Sequence, residues 1–230
     1  MSIFHSYLKE GPGVAKDAPK KHGLALYCEV FLREAWTLLG LNLLFVLACL
    51  PVVTIGPALG GMTTVLMKMV RDQNVYLWRD FWGAFRQQWK RFFLAGLLGA
   101  LLVALVMVTW LIYLPLLSRG GLYLALFVGA LLLCFLGGLA WVYFYPMAAV
   151  TELPLGAVLK NSLLLGVGTL KYSLPALLAN LLFLVPLVLA FPQSIPLGVL
   201  VSFSLSGLAS CVAAWEGIQR YVALPEGEEE

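Results

Sequence analysis

Charged side chains make up only 12% of this 230-residue sequence, about half the share an ordinary water-soluble domain carries. A chain that is 61% hydrophobic cannot hide that surface in water at this size, which excludes a soluble globular fold. Histidine is nearly missing, with only His5 and His22 near the N-terminus. A Ser-His-Asp or Cys-His nucleophile, an HExxH zinc site or a histidine proton relay would need a histidine at membrane depth. We therefore expect no enzyme, no cofactor and no metal. Cys28, Cys49, Cys134 and Cys211 are far apart and form no CxxC pair, so each reads as a small apolar packing residue. No Walker or GxGxxG motif follows a strand, and no nucleic-acid partner is expected. The first 22 residues hold several charges and no apolar core, so no cleavable secretory signal is expected. Ionisable groups are also missing from the span centres, which argues against an ion-coupled pump but not against a passive pore.

What the chain has instead is long apolar runs. A membrane-crossing helix needs roughly 20 apolar residues, at about 1.5 Å each, to traverse about 30 Å of hydrocarbon. The runs 36–53, 92–117, 122–150 and 172–191 qualify, and 195–215 is charge-free up to Glu216. The stretch 55–69 is short, about 22 Å as a helix. Charge settles its direction, because lysine and arginine in short loops mark the cytoplasmic side. If 55–69 returns across the membrane, every lysine and arginine except Arg119 falls inside, together with both termini. A re-entrant hairpin over 36–69, broken around Pro51 and Pro57, satisfies the same rule. The fold class expected is thus an all-α polytopic membrane bundle of five to six spans. Residues 1–34 would form a cytoplasmic N-terminal segment, 35–220 a single helical domain and 221–230 a short acidic tail.

Between the second and third spans, VYLWRDFWGAFRQQWKRF sets Trp78, Phe81, Trp82, Phe85, Trp89, Phe92 and Phe93 within about 60° of one helical direction. Arg79, Arg86 and Lys90 flank this stripe, and Asp80, Gln87 and Arg91 lie opposite. An aromatic face with basic flanks describes a helix in the headgroup plane, where indole rings favour the boundary and cations meet anionic lipid. A weaker copy, GAVLKNSLLLGVGTLKYS, precedes the last two spans, suggesting a tandem repeat of helix, outgoing span and returning span.

In LPVVTIGP, Pro51 and Pro57 bracket Thr54 and Gly56; the proline pair reads as a tight outer turn, or, more sharply, as a binding crevice. Asn42 and Asn180 are expected to bond across helix interfaces. Glu29 with Arg33, and Glu216 with Arg220, have the spacing of interfacial helical ion pairs. Glycines within the apolar helices read as packing positions that let backbones approach, and such faces would also permit a homo-oligomer.

Three blocks carry a resemblance: EGPGVAKDAPKK at 10–21, with Gly11, Pro12 and Gly13; NLLFVLACLPVVTIGPALGGM at 42–62; and FWGAFRQQWKRF at 81–92. In this order and spacing they resemble the YesL-like bacterial integral membrane proteins, catalogued as domain of unknown function 624. The resemblance implies no activity directly. Genes of that family commonly lie beside those of carbohydrate-uptake ABC transporters. It therefore implies a non-enzymatic accessory component of oligosaccharide uptake in the bacterial cytoplasmic membrane, with ABC sugar-transporter membrane subunits as partners. An independent small-molecule channel or carrier is the alternative.

Overall fold

A computed structural model of the protein describes residues 22–117 and 120–221, and every regular element among them is helical. This is what a chain of such composition must do in lipid, since each backbone N–H and C=O has to be satisfied within its own segment. The helices are α1 (Leu24–Arg33), α2 (Ala35–Ala48), α3 (Ile55–Val70), α4 (Leu77–Gln87), α5 (Trp89–Val108), α6 (Gly121–Val150), α7 (Leu155–Gly168), α8 (Leu170–Leu189) and α9 (Phe203–Tyr221). A π-helical turn, Thr109–Tyr113, prolongs α5, and another, Gly198–Ser202, leads into α9.

Five helical stretches are long and apolar enough to cross a membrane: Val52–Val70, Trp89–Leu116, Gly121–Val150, Leu170–Leu189 and Ile195–Tyr221. A sixth is counted if α1 and α2, bent by 85° at Glu34, are taken as one. The all-α bundle expected from the sequence is therefore the observed fold. One detail differs from expectation. The span placed at 36–53 stops as a helix at Ala48, about 21 Å long, because Pro51 cannot continue it. The doubtful stretch 55–69, in contrast, is a complete helix. Pro57 is its third residue, where an N–H would have no partner in the preceding turn anyway.

This helix, α3, is the centre of the bundle. It packs against α2, α4, α5, α6 and α9, and 61% of its apolar window is buried within the protein, against 6% for that of α6. A helix surrounded by other helices needs small residues for close approach more than hydrophobicity for lipid. That explains why α3 is the least apolar of the five stretches. The outer helices carry the lipid-facing surface, including Leu101, Leu111, Leu122, Leu182 and Val188, all exposed.

The tandem repeat read from the sequence as two copies has a third member at the start. Each unit is a leading helix, a helix running away from the charged end and a helix returning to it: α1–α2–α3, α4–α5–α6 and α7–α8–α9. One residue joins each leading helix to its span, and all three have similar backbone angles: Glu34 (φ −111°, ψ 21°), Gln88 (−111°, 25°) and Thr169 (−119°, 44°). Their hydrogen bonds match as well. Glu34 N donates to Val30 O (2.9 Å), Gln88 N to Ala84 O (3.1 Å) and Thr169 N to Leu165 O (2.9 Å). Four residues on, Leu38, Phe92 and Ser173 return a bond to the junction carbonyl. Neither glycine nor proline marks the break at Glu34, which is why the first unit is hidden in the sequence.

Candidate functional site

The face of α3 is built from glycines that bring large side chains and backbones into contact. A methyl group on Gly56 would collide with the Phe92 carbonyl and the backbone of Gly96, so α3 and α5 touch main chain to main chain. One on Gly60 would occupy the ring of Phe92, and one on Gly61 would press on Phe81. Phe81 and Phe92 are fully buried. Of the aromatic stripe, Phe81 and Phe92 therefore face α3 rather than lipid headgroups. Trp82, Phe85 and Trp89 are partly buried and stack edge to face along α4, while Trp78 stays exposed. The stripe is apolar enough to sit in lipid, but the glycines of α3 offer it a better-fitting surface.

Asn42 joins α2 to the π-helical turn before α9. Its Nδ2 donates to Gly198 O (2.8 Å) and Val199 O (2.7 Å), and its Oδ1 accepts from Ser204 N (2.8 Å). A π turn shifts the helical ladder and frees such groups; one amide recovers three of them at a fully buried position. Asn180 of α8 donates to Ser210 Oγ (2.9 Å) and accepts from Ser206 Oγ on α9. Pro51 and Thr54 form the turn between α2 and α3, with Thr54 N donating to Pro51 O (2.9 Å) and the Thr54 hydroxyl turned back to Ala48 O.

Polar groups gather at the opposite end, where α3, α6 and α9 finish and α4, α5 and α8 begin. Arg33 pairs with Asp72 (2.8 Å) and donates to Met69 O (3.1 Å). Lys68 pairs with Asp80 (3.0 Å), whose second oxygen accepts from Tyr76 N (2.9 Å) at the start of α4. Asp80, expected on the solvent side of the stripe, is buried. Glu216 keeps the ion pair expected with Arg220 (3.9 Å), but it is 2% exposed and also accepts from His22 Nδ1 (2.9 Å) and Gly23 N (3.1 Å). Arg220 also donates to the Tyr172 hydroxyl (2.8 Å). Beside them, the Tyr143 hydroxyl bonds Thr169 Oγ1 (2.6 Å) and Ser173 Oγ (2.9 Å). Sequence reasoning missed Lys68, Asp80, Tyr143 and Thr169 because their partners lie on other helices.

At the α4–α5 junction a cleft of about 560 Å³ is lined by Arg86, Gln87, Gln88, Trp89, Lys90, Arg91 and Glu152. Arg91 holds one wall by donating to Thr151 O (2.7 Å) and Leu153 O (3.0 Å) between α6 and α7. On a continuous helix Arg86 and Lys90 lie together and Arg91 falls on the opposite face; the break at Gln88 brings all three to the same cleft. The Gly11, Pro12 and Gly13 motif, the basic residues Lys16, Lys20 and Lys21, Arg119 and the acidic tail beyond Tyr221 lie outside the described residues. Among the described residues no three His, Cys, Asp or Glu side chains come together to hold a metal ion.

Apolar helices around a glycine-faced central helix, with ion pairs gathered at one end, define an all-α multi-pass membrane protein. Residues 38–110, from α2 into the π turn after α5, match the family model described as "Protein of unknown function, DUF624". This is the family that the sequence blocks at 42–62 and 81–92 resemble. No curated protein and no solved structure matches the chain.

Proposed function

We propose that this protein is a non-enzymatic accessory component of oligosaccharide uptake by an ABC-type transporter. It would sit in the bacterial cytoplasmic membrane with both termini on the cytoplasmic side. The observation that favours an accessory role over a carrier is the filled glycine face of α3. In carriers, a segment interrupted by glycine and proline near the membrane centre often frames the substrate site. Here Gly56, Gly60 and Gly61 are occupied by Gly96, Phe92 and Phe81, so the small residues serve direct helix packing. The link to carbohydrate uptake is carried by the family resemblance. The inward orientation is supported by the concentration of Arg33, Lys68, Arg86, Lys90, Arg91 and Arg220 at one end. That basic end offers transporter subunits a docking face.

The test is purification of the tagged protein from native membranes in mild detergent after lysine cross-linking, with mass spectrometry of what accompanies it. Sugar-transporter membrane subunits cross-linked through Lys16, Lys20, Lys21 or Lys90 are the expected result. Recovery of the protein alone, together with saccharide flux into liposomes holding only this chain, would overturn the reading in favour of an independent channel or carrier.

A further inference from the structure

The three junction residues differ in how their side chains are satisfied. Glu34 accepts from the Thr37 hydroxyl (2.9 Å) and sits 3.5 Å from Arg33 Nε. Thr169 donates to Leu165 O (2.7 Å) and bonds Tyr143. At the second junction, Gln88 Oε1 is buried without a hydrogen-bond partner, and so is Arg91 Nε three residues on. Both residues line the same cleft. A buried acceptor and a buried cationic donor left open cost about 1–3 kcal/mol each, and the two residues that carry them line one basic cleft, which marks a place for a ligand.

The lining residues state the ligand's chemistry. Arg86, Lys90 and Arg91 call for an anion, and Trp89, Lys90 and Arg91 are also the first three residues of the 20-residue α5, whose N-terminus has no side-chain cap. Their backbone N–H groups and the helix dipole favour a phosphate there. Glu152, exposed in the lining, is an acceptor that opposes a bare anion while welcoming hydroxyl donors. We propose that this cleft binds a phosphate bearing a hydroxylated substituent, such as a glycerophosphate group. The cations and α5 amides take the phosphate, and Glu152 takes the hydroxyls. Two sources share this chemistry: the headgroup of a phosphatidylglycerol-type lipid, and a soluble phosphorylated polyol or sugar. The cleft opens at the first turn of α5, which is apolar from Phe92 onward, and this suits the lipid.

The test uses the full chain in detergent, with lipid retention read by native mass spectrometry against phosphatidylglycerol, phosphatidic acid and phosphatidylcholine. Phosphatidylglycerol should be retained about one per chain, ahead of the other two. The double variant Arg86→Gln/Lys90→Gln, both exposed positions, should weaken retention about tenfold or more, as expected for lost charge-assisted bonds. Arg71→Gln/Arg79→Gln removes two cations outside the cleft and should leave retention unchanged. Displacement by glycerol 3-phosphate would assign the site to a soluble ligand of the same chemistry, and its failure to displace would assign it to the lipid. Equal retention by wild type and the Arg86/Lys90 variant would overturn the site. Equal retention of phosphatidic acid and phosphatidylglycerol would overturn the hydroxyl requirement.

Discussion

Replacing Asn42 by leucine isolates the contribution of one amide, because the two side chains have nearly the same shape and no cavity is opened. The substitution removes three hydrogen bonds at once, to Gly198 O, Val199 O and from Ser204 N. Side-chain hydrogen bonds between membrane helices contribute ~0.6 kcal/mol on average and ~1.7 at most, so three give ~2–5 kcal/mol. The upper part of this range is expected, since the π turn offers its freed backbone groups no alternative partner in lipid. The comparison is Asn180→Leu, whose partners are the hydroxyls of Ser206 and Ser210. Those hydroxyls can fall back on carbonyls of their own helix, so this loss should be about 1 kcal/mol. Reversible unfolding in mixed micelles, followed by helical circular dichroism, measures both. If Asn42→Leu unfolds within about 0.5 kcal/mol of wild type, or costs less than Asn180→Leu, the account of Asn42 as the closure of the π turn is refuted.

Gly56→Ala should destabilise by more than about 2 kcal/mol, because the added methyl meets backbone that cannot yield, whereas Gly83→Ala, with open space around it, should be neutral or stabilise by up to about 1 kcal/mol; the same unfolding assay checks both. Phe92→Ala should cost about 3–5 kcal/mol through the void left above Gly60, and Gly60→Ala in that background should recover part of it. Glu216→Ala should lose about 1–3 kcal/mol by leaving Gly23 N without its acceptor, a change readable by thermal unfolding in detergent. For the six-crossing arrangement, in a cysteine-free background, Val52→Cys should react with an impermeant maleimide added to intact cells and Asp72→Cys only after lysis; protection of Val52→Cys would favour the re-entrant hairpin.

Hydropathy made three of the spans legible to within about three residues, because the lipid-facing helices α5, α6 and α8 must be apolar on nearly every side. The same reasoning overran the end of α2 and left α3 undecided. It reads affinity for lipid, and α3 is enclosed by protein, while the run through α2 looked longer than the helix because the turn around Pro51 is itself apolar. The aromatic stripe of α4 was legible as a face, but not what covers it: at 100° per residue a stripe for lipid and a stripe for a glycine groove have the same pattern. Asn42 and Asn180 could be expected to bond across helices, yet their partners are 156 and 30 residues away and no local signal points to them.

The sequence by itself determined the solvent this chain folds in, the helical class and the gathering of basic residues in the loops of one end. These follow from the cost of burying charge and unpaired backbone in lipid, which each segment meets alone. Only the tertiary structure decided which helix is central, that a third unit precedes the two visible ones, and that Arg91 joins Arg86 and Lys90 in one cleft. Those outcomes depend on which surfaces meet, and the glycines of α3, the single-residue breaks at Glu34, Gln88 and Thr169, and the amide of Asn42 acquire their roles only once a neighbour is in place.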